Sequence, residues 1–302
     1  MRLALALILV CMMQAQSPPE NPAADAAKAD AETPSMHNDG EPMLIPFACT
    51  DEDMEWAGMT CSEEQPCPVY VELSAIETLG NRLIVVGNIH NESTTLYSLI
   101  LLSEDGGATW REPYERMHGV GIDHIQFIDF QNGWISGETL VPVSRDPFLL
   151  ITSDGGKSWR LRPVVADGIG GAIQQFHFDS ATSGMLVLDR KQSAESSRYE
   201  LYETPNGGET WMIRRTSERP LTLPQAAPDA PGSDWRIHAD ARTKSFAIEN
   251  RKDERWSSVS NFLVRMGACK PIPRAAPAPP PAAEPAPQPE NLPTFQIPRP
   301  KQ

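Results

Sequence analysis

The apolar positions of this chain fall into short continuous runs, and no stretch repeats them every 3.6 residues over the length of a helix. Two such runs lie at residues 99–102 and 148–151, and other strand-like segments lie at 81–87, 124–137 and 175–188. Runs of this kind are typical of strands buried on both faces, as when one sheet packs between two others. The pattern therefore predicts an all-β core of stacked antiparallel sheets with little helix.

Three octapeptides repeat within this pattern, and their final tryptophans recur after 49 and then 52 residues. Each octapeptide begins with Ser or Thr, places Asp or Asn two residues later, continues with two glycines and ends in Trp. The short polar side chain can bind amides of its own turn, and the glycines can adopt the positive φ of tight hairpins. The residues expected to build the three turns are Ser103, Asp105, Gly107, Thr109, Trp110, Thr152, Asp154, Gly156, Ser158, Trp159, Thr204, Asn206, Gly208, Thr210 and Trp211.

A period of about 50 residues indicates the blades of a propeller or another repeat array. The units lie at residues 69–115, 123–165 and 173–218, and a degenerate fourth unit at 235–269 has no octapeptide. Four units are few for a closed propeller. Either residues 49–68 complete a further blade, or the sheets form an open or irregular stack.

The second unit carries a further pattern around its first two strands. Its members are Phe127, Ile128, Asp129, Gly133, Trp134 and Gly137, followed by the octapeptide at 152–159. With these residues the chain resembles the photosystem II assembly and stability factor-like propellers over roughly residues 69–211. Sialidases and related secreted propellers share the octapeptide alone, which is known as the Asp box. The third unit keeps Phe178 and Gly184 of the pattern, but has Ser180 for the aspartate and Met185 for the tryptophan.

The unit count predicts a small β-propeller-like array of about four antiparallel sheets, or five. The resemblance implies a non-catalytic scaffold that docks on a partner protein outside the cytoplasm. No cofactor is expected. Those relatives usually have more blades than the units counted here, so the resemblance does not transfer a particular docking surface.

The two ends of the chain differ in composition from the repeats. Residues 1–17 place a basic Arg2 before an apolar run too short to span a membrane, which predicts a secretory signal peptide. Lipidation at Cys11 and an uncleaved N-terminal helix are the alternatives. Removal of the signal leaves no expected transmembrane span. We therefore expect an exported protein, periplasmic or secreted.

Two Ala- and Pro-rich segments flank the expected domain at residues 47–270. We predict a disordered acidic linker at 18–46 and a disordered proline-rich tail at 271–302, because neither has an apolar period with which to build a core. The tail is interpreted as a spacer, with a polyproline II ligand for a partner groove as the alternative.

The net charge of −14 belongs mainly to the N-terminal part of the chain. Residues 18–64 contain twelve acidic residues and one basic residue, so the remainder is nearly balanced. No basic stripe interleaves with aromatic residues, which argues against a nucleic-acid partner. The expected partner is a protein of the cell envelope, bound by a monomer.

Four cysteines remain after the signal peptide, and four cysteines allow three pairings. We favour Cys61 with Cys67 as a small loop and Cys49 with Cys269 as a link between the two ends of the domain. A zinc site is the competing interpretation, but no histidine pair with ligand spacing accompanies these cysteines. No metal site is expected.

Arginines that project from several units are the candidate docking residues, because the guanidinium fork suits protein interfaces. They are Arg145, Arg160, Arg162, Arg190, Arg214 and Arg215. The alternative is that these are solvated charges at strand edges, some of them paired with Asp146 or Asp189.

Two other functions are weaker hypotheses. A sialidase-type hydrolase needs a tyrosine nucleophile beside a glutamate, but adjacent Tyr199 and Glu200 should point to opposite faces of a strand. The Arg-Ile-Pro motif of that family is also missing near the start of the domain. Carbohydrate or cell-wall binding would use Trp56 or Trp235 as exposed platforms, unless both are buried. We therefore do not expect an enzyme.

Overall fold

The structure is a computed structural model, and it describes residues 35–140, 143–165, 170–190, 197–223 and 234–271. Within these ranges the chain is almost entirely β, with one short helix, α1 (Asp51–Trp56). The strands are β1 (Met36–His37), β2 (Cys67–Leu79), β3 (Arg82–His90), β4 (Thr95–Ser103), β5 (Thr109–Trp110), β6 (Val120–Phe127), β7 (Gly133–Thr139), β8 (Arg145–Thr152), β9 (Arg160–Pro163), β10 (Ala172–Phe178), β11 (Gly184–Asp189), β12 (Tyr199–Thr204), β13 (Met212–Ser217), β14 (Trp235–Asp240), β15 (Ser245–Lys252), β16 (Arg255–Leu263) and β17 (Arg265–Cys269). The all-β prediction is confirmed.

The strands form four larger antiparallel sheets and one two-stranded sheet. Sheet 1 has the order β17-β2-β3-β4, sheet 2 β6-β7-β8-β9, sheet 3 β10-β11-β12-β13 and sheet 4 β14-β15-β16, while β1 pairs with β5. Sheets 2, 3 and 4 are simple meanders, because each strand pairs with the next along the chain. Sheet 1 differs, since its β17 comes from the C-terminal end and pairs with β2 at the start of the domain.

Buried apolar clusters join the sheets in the order 4-1-2-3. The cluster between sheets 4 and 1 contains Phe262 and Val71. The next cluster joins sheets 1 and 2, and a third joins sheets 2 and 3. No buried cluster of the described residues joins sheet 3 to sheet 4; instead Leu221 and Leu223 cover the outer face of sheet 3. The described residues therefore form an open stack, which was one of the two arrangements left open by the unit count.

The N-terminal part of the domain corrects one expectation and excludes one of the two alternatives for residues 49–68. Residues 35–46, assigned to the linker from their composition, pair with the folded sheets: Met36 lies opposite Trp110, and the Met43 amide donates to the Asn261 carbonyl at 2.8 Å. The segment is acidic overall, but it also contains Met43 and Ile45, whose side chains are both buried. Residues 49–68 complete no blade but form α1 and a loop that leads into β2. The signal peptide at 1–17 and nearly all of the proline-rich tail lie outside the described residues.

Two disulfides join the chain around β2 and β17. Cys49 is bonded to Cys269, which links the two ends of the domain across 220 residues, and Cys61 is bonded to Cys67 across six. Cys67 and Cys269 lie opposite each other in the pairing of β2 with β17. The two bonds therefore fasten the N-terminal segment and the last strand to the same edge of sheet 1.

Candidate functional site

The three octapeptides form turns with the same hydrogen bonds. In the second turn the Thr152 hydroxyl donates to Asp154 Oδ1 at 2.8 Å and accepts from the Gly156 amide at 3.0 Å. The Ser158 hydroxyl donates to Asp154 Oδ2 at 2.6 Å. Equivalent bonds hold the first turn around Asp105. In the third turn Thr204 makes the same two bonds, to Asn206 and from Gly208, but the Thr210 hydroxyl accepts from the Asn206 side-chain amide at 3.0 Å. All six glycines of the three turns have φ between +71° and +96°, a conformation that favours glycine.

The aspartates of the first two turns are held as carboxylates. Burial raises the pKa of Asp154, but hydrogen bonds from Ser158 and Thr152 outweigh it, so the pKa lies below its usual value. The pKa of Asp105 is lowered by the same balance, in which hydrogen bonds from Thr109 and Ser103 exceed the effect of burial. All of these contacts stay inside the turn, so the carboxylates stabilise a loop.

Each turn also binds to a second turn of its own sheet. The amides of Gly106, Gly155 and Gly207 donate to the carbonyls of Asn81, Gln131 and Thr182, at 2.8, 2.9 and 2.7 Å respectively. In the second sheet, Asp129 fixes the receiving turn by accepting two backbone amides. In the third sheet the Ser180 hydroxyl accepts two amides in the same place. The substitution of serine for aspartate at this position therefore keeps the turn.

The second glycine of each turn lies against the preceding sheet in the stack. A Cβ atom at Gly107 would lie 2.7 Å from Ser260 of sheet 4, one at Gly156 would lie 3.0 Å from Ile84 of sheet 1, and one at Gly208 would lie 3.2 Å from Ile151 of sheet 2. The side chain of Trp110 strengthens the first of these contacts, because its Nε1 donates to Ser260 Oγ at 3.1 Å. Sheet 4 has no octapeptide, so it has no such turn to rest on sheet 3.

Arg82, which the sequence did not single out, connects sheets 1 and 2. Its Nη1 donates to the Gly155 carbonyl at 2.9 Å, and its Nη2 lies 3.4 Å from Glu104. A Cβ atom at Gly155 would lie 2.0 Å from this Nη1 and 2.5 Å from the Phe130 carbonyl oxygen. Nothing local to Arg82 distinguishes it from other strand-edge arginines, since its partners lie 22 and 73 residues away.

Four of the six candidate docking arginines lie along the outer edge strands of sheets 2 and 3. Arg160 and Arg162 of β9 both contact Glu209 of the third turn, at 3.2 and 2.6 Å. The Arg162 hydrogen bond holds the pKa of Glu209 below its usual value. Glu209 therefore bridges the two sheets at their edges, and Arg214 and Arg215 follow it on β13.

The strand β13 is the edge of sheet 3 and is exposed along almost its whole length. Met212 and Ile213 are 46% and 53% exposed, which is unusual for large apolar side chains in neighbouring positions. Arg214 forms an ion pair with Glu203, and a shift in the pairing of β13 with β12 falls at this residue. We call β13 together with Arg160, Arg162 and Glu209 the arginine rim.

The other two candidate arginines lie elsewhere. Arg145 is paired with its neighbour Asp146 at 3.4 Å on an exposed part of sheet 2. Arg190 is largely buried, and its Nη1 lies 3.2 Å from the buried Glu200. The charge of Arg190 is thus neutralised inside the domain, and Asp189 pairs with Arg198 instead. Arg190 is removed from the docking set, because its guanidinium faces the interior.

Glu200 does have a tyrosine partner, but it is not the adjacent one. The Tyr202 hydroxyl donates to Glu200 Oε2 at 2.7 Å, because residues two apart on β12 share a face. Burial, together with this hydrogen bond, raises the pKa of Tyr202 far above its usual value. Both side chains are only 4–5% exposed. A buried, protonated phenol cannot serve as a nucleophile for a substrate in solution.

The remaining sequence candidates are packed side chains. Trp56 packs against His118, with ring centroids 4.4 Å apart, and Trp235 packs against the core between sheets 4 and 1. In the part of the chain that the structure describes, no group of three His, Cys, Asp or Glu side chains is arranged to hold a metal ion. No helix among the described residues has the length and apolar character needed to cross a bilayer.

Comparison with known proteins gives only distant similarities. No family model and no curated protein matches the chain. Among solved structures, YCF48 from Cyanidioschyzon merolae is 20% identical, with a TM-score of 0.34, over 64% of this chain and 57% of that chain. A structure titled "YCF48 bound to D1 peptide" is 14% identical, with a TM-score of 0.32, over 72% of this chain and 60% of that chain. Penicillium chrysogenum α-L-arabinanase complexed with arabinobiose is 12% identical, with a TM-score of 0.33, over 74% of this chain and 66% of that chain.

This chain therefore spans about three fifths of the length of the two YCF48 structures. The description of the fold and of the arginine rim depends on the hydrogen bonds, ion pairs and burial within this chain, and not on these similarities.

Proposed function

We propose that this protein is a non-catalytic scaffold outside the cytoplasm that binds a partner protein along the arginine rim. The observation that carries the proposal is the exposure of β13. An edge strand presents unpaired backbone N–H and C=O groups, and native proteins usually protect such an edge. Here β13 presents Met212 and Ile213 to solvent as well. These features suit a partner whose extended segment adds to sheet 3 as a further strand.

The charge of the rim indicates what the partner presents. The rim and its ion-pair partners comprise four arginines and two carboxylates. The arginines are Arg160, Arg162, Arg214 and Arg215, and the carboxylates are Glu203 and Glu209. The rim thus keeps a positive excess on a chain whose net charge is −14. We infer that the bound segment is acidic and carries apolar residues that cover Met212 and Ile213. Arginine suits this role, because its planar fork can bind a carboxylate through two parallel hydrogen bonds.

The disulfides and the N-terminal sequence support this compartment. Disulfides form and persist in oxidising environments, and this domain has two of them at its chain ends. The basic and apolar pattern of residues 1–17 fits export by a signal peptide. Both observations support export from the cytoplasm, where an envelope protein is the proposed partner.

Site-specific photo-crosslinking in the producing cells tests the proposal. A photoreactive phenylalanine analogue at Ile213 should capture a defined envelope protein, whereas the same analogue at Leu44 should not. The two positions are matched, because Ile213 is 53% exposed and Leu44 is 51% exposed. Capture of the same proteins at equal yield from both positions would contradict the proposal.

A charge substitution gives an independent measurement. Ile213→Asp should weaken binding of the captured partner at least tenfold, since it places a carboxylate opposite an acidic segment, while Leu44→Asp should leave binding unchanged. Both exposed substitutions should alter the free energy of unfolding by no more than about 0.5 kcal/mol. Equal affinities for the two variants, or turnover of a fluorogenic glycoside by the purified protein, would refute the function proposed here.

A further inference from the structure

The four cysteines of the described residues lie close together, although the sequence separates them widely. Cys49, Cys61 and Cys67 precede or begin β2, whereas Cys269 ends β17. All four side chains pack in or against the same apolar cluster between sheets 4 and 1. The two disulfides are therefore neighbours, and they end on paired strands of one sheet.

Cys67 and Cys269 lie directly opposite each other in the pairing of β2 with β17. Such residues of antiparallel strands project from the same face of the sheet, with Cα atoms about 4.5–5.5 Å apart. A disulfide joins Cα atoms that are about 4.4–6.8 Å apart. These two cysteines can therefore be bonded to each other without a change of the strand pairing. In the structure each is bonded elsewhere, Cys67 to Cys61 and Cys269 to Cys49.

The sulfurs differ in their access to a thiol from solution. Cys61 and Cys67 are both partly exposed, and the loop between them carries exposed residues at 63–65. Cys269 is 0% exposed. Because thiol–disulfide exchange needs contact between the attacking thiolate and a sulfur, a reductant can open the Cys61–Cys67 bond but cannot reach the Cys269 sulfur. That sulfur is accessible only to a thiol of the chain itself, and the Cys67 thiol is the one placed opposite it.

Burial also sets the direction of exchange between the two bonds. The Cys67 thiol is partly exposed and can attack as a thiolate, whereas a thiol at the buried Cys269 is inert. Attack at the Cys269 sulfur expels the Cys49 sulfur, which is partly exposed and is solvated as a thiolate. Attack at the Cys49 sulfur would instead leave a thiolate at Cys269 inside the apolar cluster, which is costly. The favoured product is the Cys67–Cys269 bond.

We propose that the four cysteines form a relay for thiol–disulfide exchange with an external dithiol. In the first step the dithiol gives up two electrons and becomes a disulfide, while the Cys61–Cys67 bond is reduced to two thiols. In the second step the Cys67 thiolate attacks the Cys269 sulfur. The Cys67–Cys269 bond forms, the Cys49–Cys269 bond breaks, and the Cys49 sulfur takes up the proton that Cys67 lost. The second step neither consumes nor releases electrons.

The exchange removes both covalent anchors of α1 while the two ends of the domain stay joined. Cys49 and Cys61 lie on either side of α1, and both are thiols after the exchange. The new bond joins β2 to β17 directly, so it closes almost the same long loop as before. The helix is then held by noncovalent contacts, such as the 2.6 Å hydrogen bond from the Tyr97 hydroxyl to Asp53. A dithiol thereby loosens α1 without opening sheet 1.

Partial reduction of the oxidised full chain tests the relay. The protein is treated with dithiothreitol for increasing times, quenched with N-ethylmaleimide and mapped by mass spectrometry of nonreduced peptides. Cleavage after glutamate separates the three N-terminal cysteines, because Glu55 and Glu63 lie between them. We expect an intermediate with a Cys67–Cys269 disulfide and with maleimide on Cys49 and Cys61. Reduction that passes only through a form retaining the Cys49–Cys269 bond, or that yields four thiols without the Cys67–Cys269 species, would overturn the proposal.

Two serine variants test the same step without reliance on a transient intermediate. Cys67→Ser removes the relay thiol, and the Cys49–Cys269 bond should then open about tenfold more slowly, because a thiol held opposite its target acts at a high effective concentration. An unchanged rate would mean that dithiothreitol attacks Cys49 directly, which refutes the relay. Cys61→Ser leaves Cys67 as a thiol without any reductant, and it should contain both the Cys49–Cys269 and the Cys67–Cys269 forms. A Cys61→Ser protein with the Cys49–Cys269 bond alone would also refute the relay.

Amide hydrogen exchange measures the effect on α1. In the quenched intermediate, residues 51–56 should lose protection while β2 and β3 keep theirs. Unchanged protection of residues 51–56 in a protein that carries the Cys67–Cys269 bond would contradict the release of α1. Circular dichroism of each variant confirms that the sheets are folded.

Discussion

The contact between sheets 1 and 2 can be tested with two alanine substitutions that share the same backbone strain. Gly106 and Gly155 occupy the same position in the first and second turns, with φ of +71° and +74°. A Cβ atom at Gly106 would meet nothing within 4 Å, whereas one at Gly155 would meet Arg82 and the Phe130 carbonyl. The difference between Gly155→Ala and Gly106→Ala therefore separates two steric contacts of Gly155, one with Arg82 of sheet 1 and one with the Phe130 carbonyl of its own sheet 2, from the cost of positive φ.

The expected magnitudes follow from these distances. Gly106→Ala should destabilise by about 1–2 kcal/mol, the cost of a left-handed conformation for a residue with Cβ. Gly155→Ala adds overpacking of about 1–3 kcal/mol, because the Cβ atom would lie 2.5 Å from a backbone oxygen that cannot easily move. Displacing Arg82 also breaks its 2.9 Å bond to the Gly155 carbonyl, a charged hydrogen bond worth roughly 1.5–3 kcal/mol. Together these two contributions make Gly155→Ala cost about 2.5–6 kcal/mol more than Gly106→Ala.

Equilibrium unfolding in urea, with disulfides intact and tryptophan fluorescence as the signal, measures both variants. The double variant Arg82→Ala/Gly155→Ala should recover part of the excess, because it removes the 2.0 Å contact but leaves the 2.5 Å contact with the Phe130 carbonyl. Free energies for the two single variants within about 0.5 kcal/mol of each other would refute the tight packing around Gly155, and a double variant that recovers none of the excess would refute the contribution of Arg82 of sheet 1.

Three further predictions concern pH and the disulfides. Because the pKa of Asp154 is lowered in the folded state, the Asp154 carboxylate stabilises the fold above about pH 4, and this stabilisation is lost as pH falls through the folded-state pKa. Asp154→Asn should therefore flatten the loss of stability in acid. Burial raises the pKa of Glu77 to about 7. The contribution of Glu77 to the free energy of unfolding is therefore full below about pH 4 and declines as pH rises through 7. Glu77→Gln should flatten this decline. The chain-entropy relation gives about 5 kcal/mol for the bond of Cys49 across 220 residues and about 2 kcal/mol for that of Cys61 across six, so Cys49→Ser should destabilise more than Cys61→Ser.

Urea unfolding at a series of pH values checks the first two predictions, and the same assay at pH 7 checks the third. Asn206→Asp should add acid sensitivity, because it restores an aspartate to the third turn. Glu72→Gln is the control for Glu77, since Glu72 is exposed on the same strand. Unchanged pH profiles would contradict the assigned pKa shifts, and equal losses for Cys49→Ser and Cys61→Ser would contradict the entropic account of the disulfides.

The local elements of this fold could be read from the sequence, because their determinants lie within a few residues. The polar partners of Asp154 are at most four residues away, so the octapeptide closes its turn without help from the rest of the chain. The apolar runs before each turn became β4 and β8 for the same reason. The degenerate fourth unit predicted at 235–269 also formed a meander of three strands, at 235–240, 245–252 and 255–263, without an octapeptide.

The candidate site was predictable only in part. Arg160, Arg162 and Arg214 were named from their positions after the turns, but their partners Glu209 and Glu203 depend on strand pairing and on contacts between sheets. The pairing of Tyr202 with Glu200 could have been found, because residues two apart on a strand share a face. The burial of Arg190 could not, since it depends on how sheet 3 is covered.

What the sequence determined by itself was the repeating hairpin turn and the all-β character, since both arise from short-range hydrogen bonds and side-chain alternation. Only the tertiary structure decided that residues 35–46 join the sheets, that β17 returns to β2, and that no apolar cluster of the described residues joins sheet 3 to sheet 4. These outcomes depend on backbone groups and apolar faces that meet across tens to hundreds of residues. No local sequence pattern encodes such long-range contacts, because each contact forms only when the other sheets are already in place.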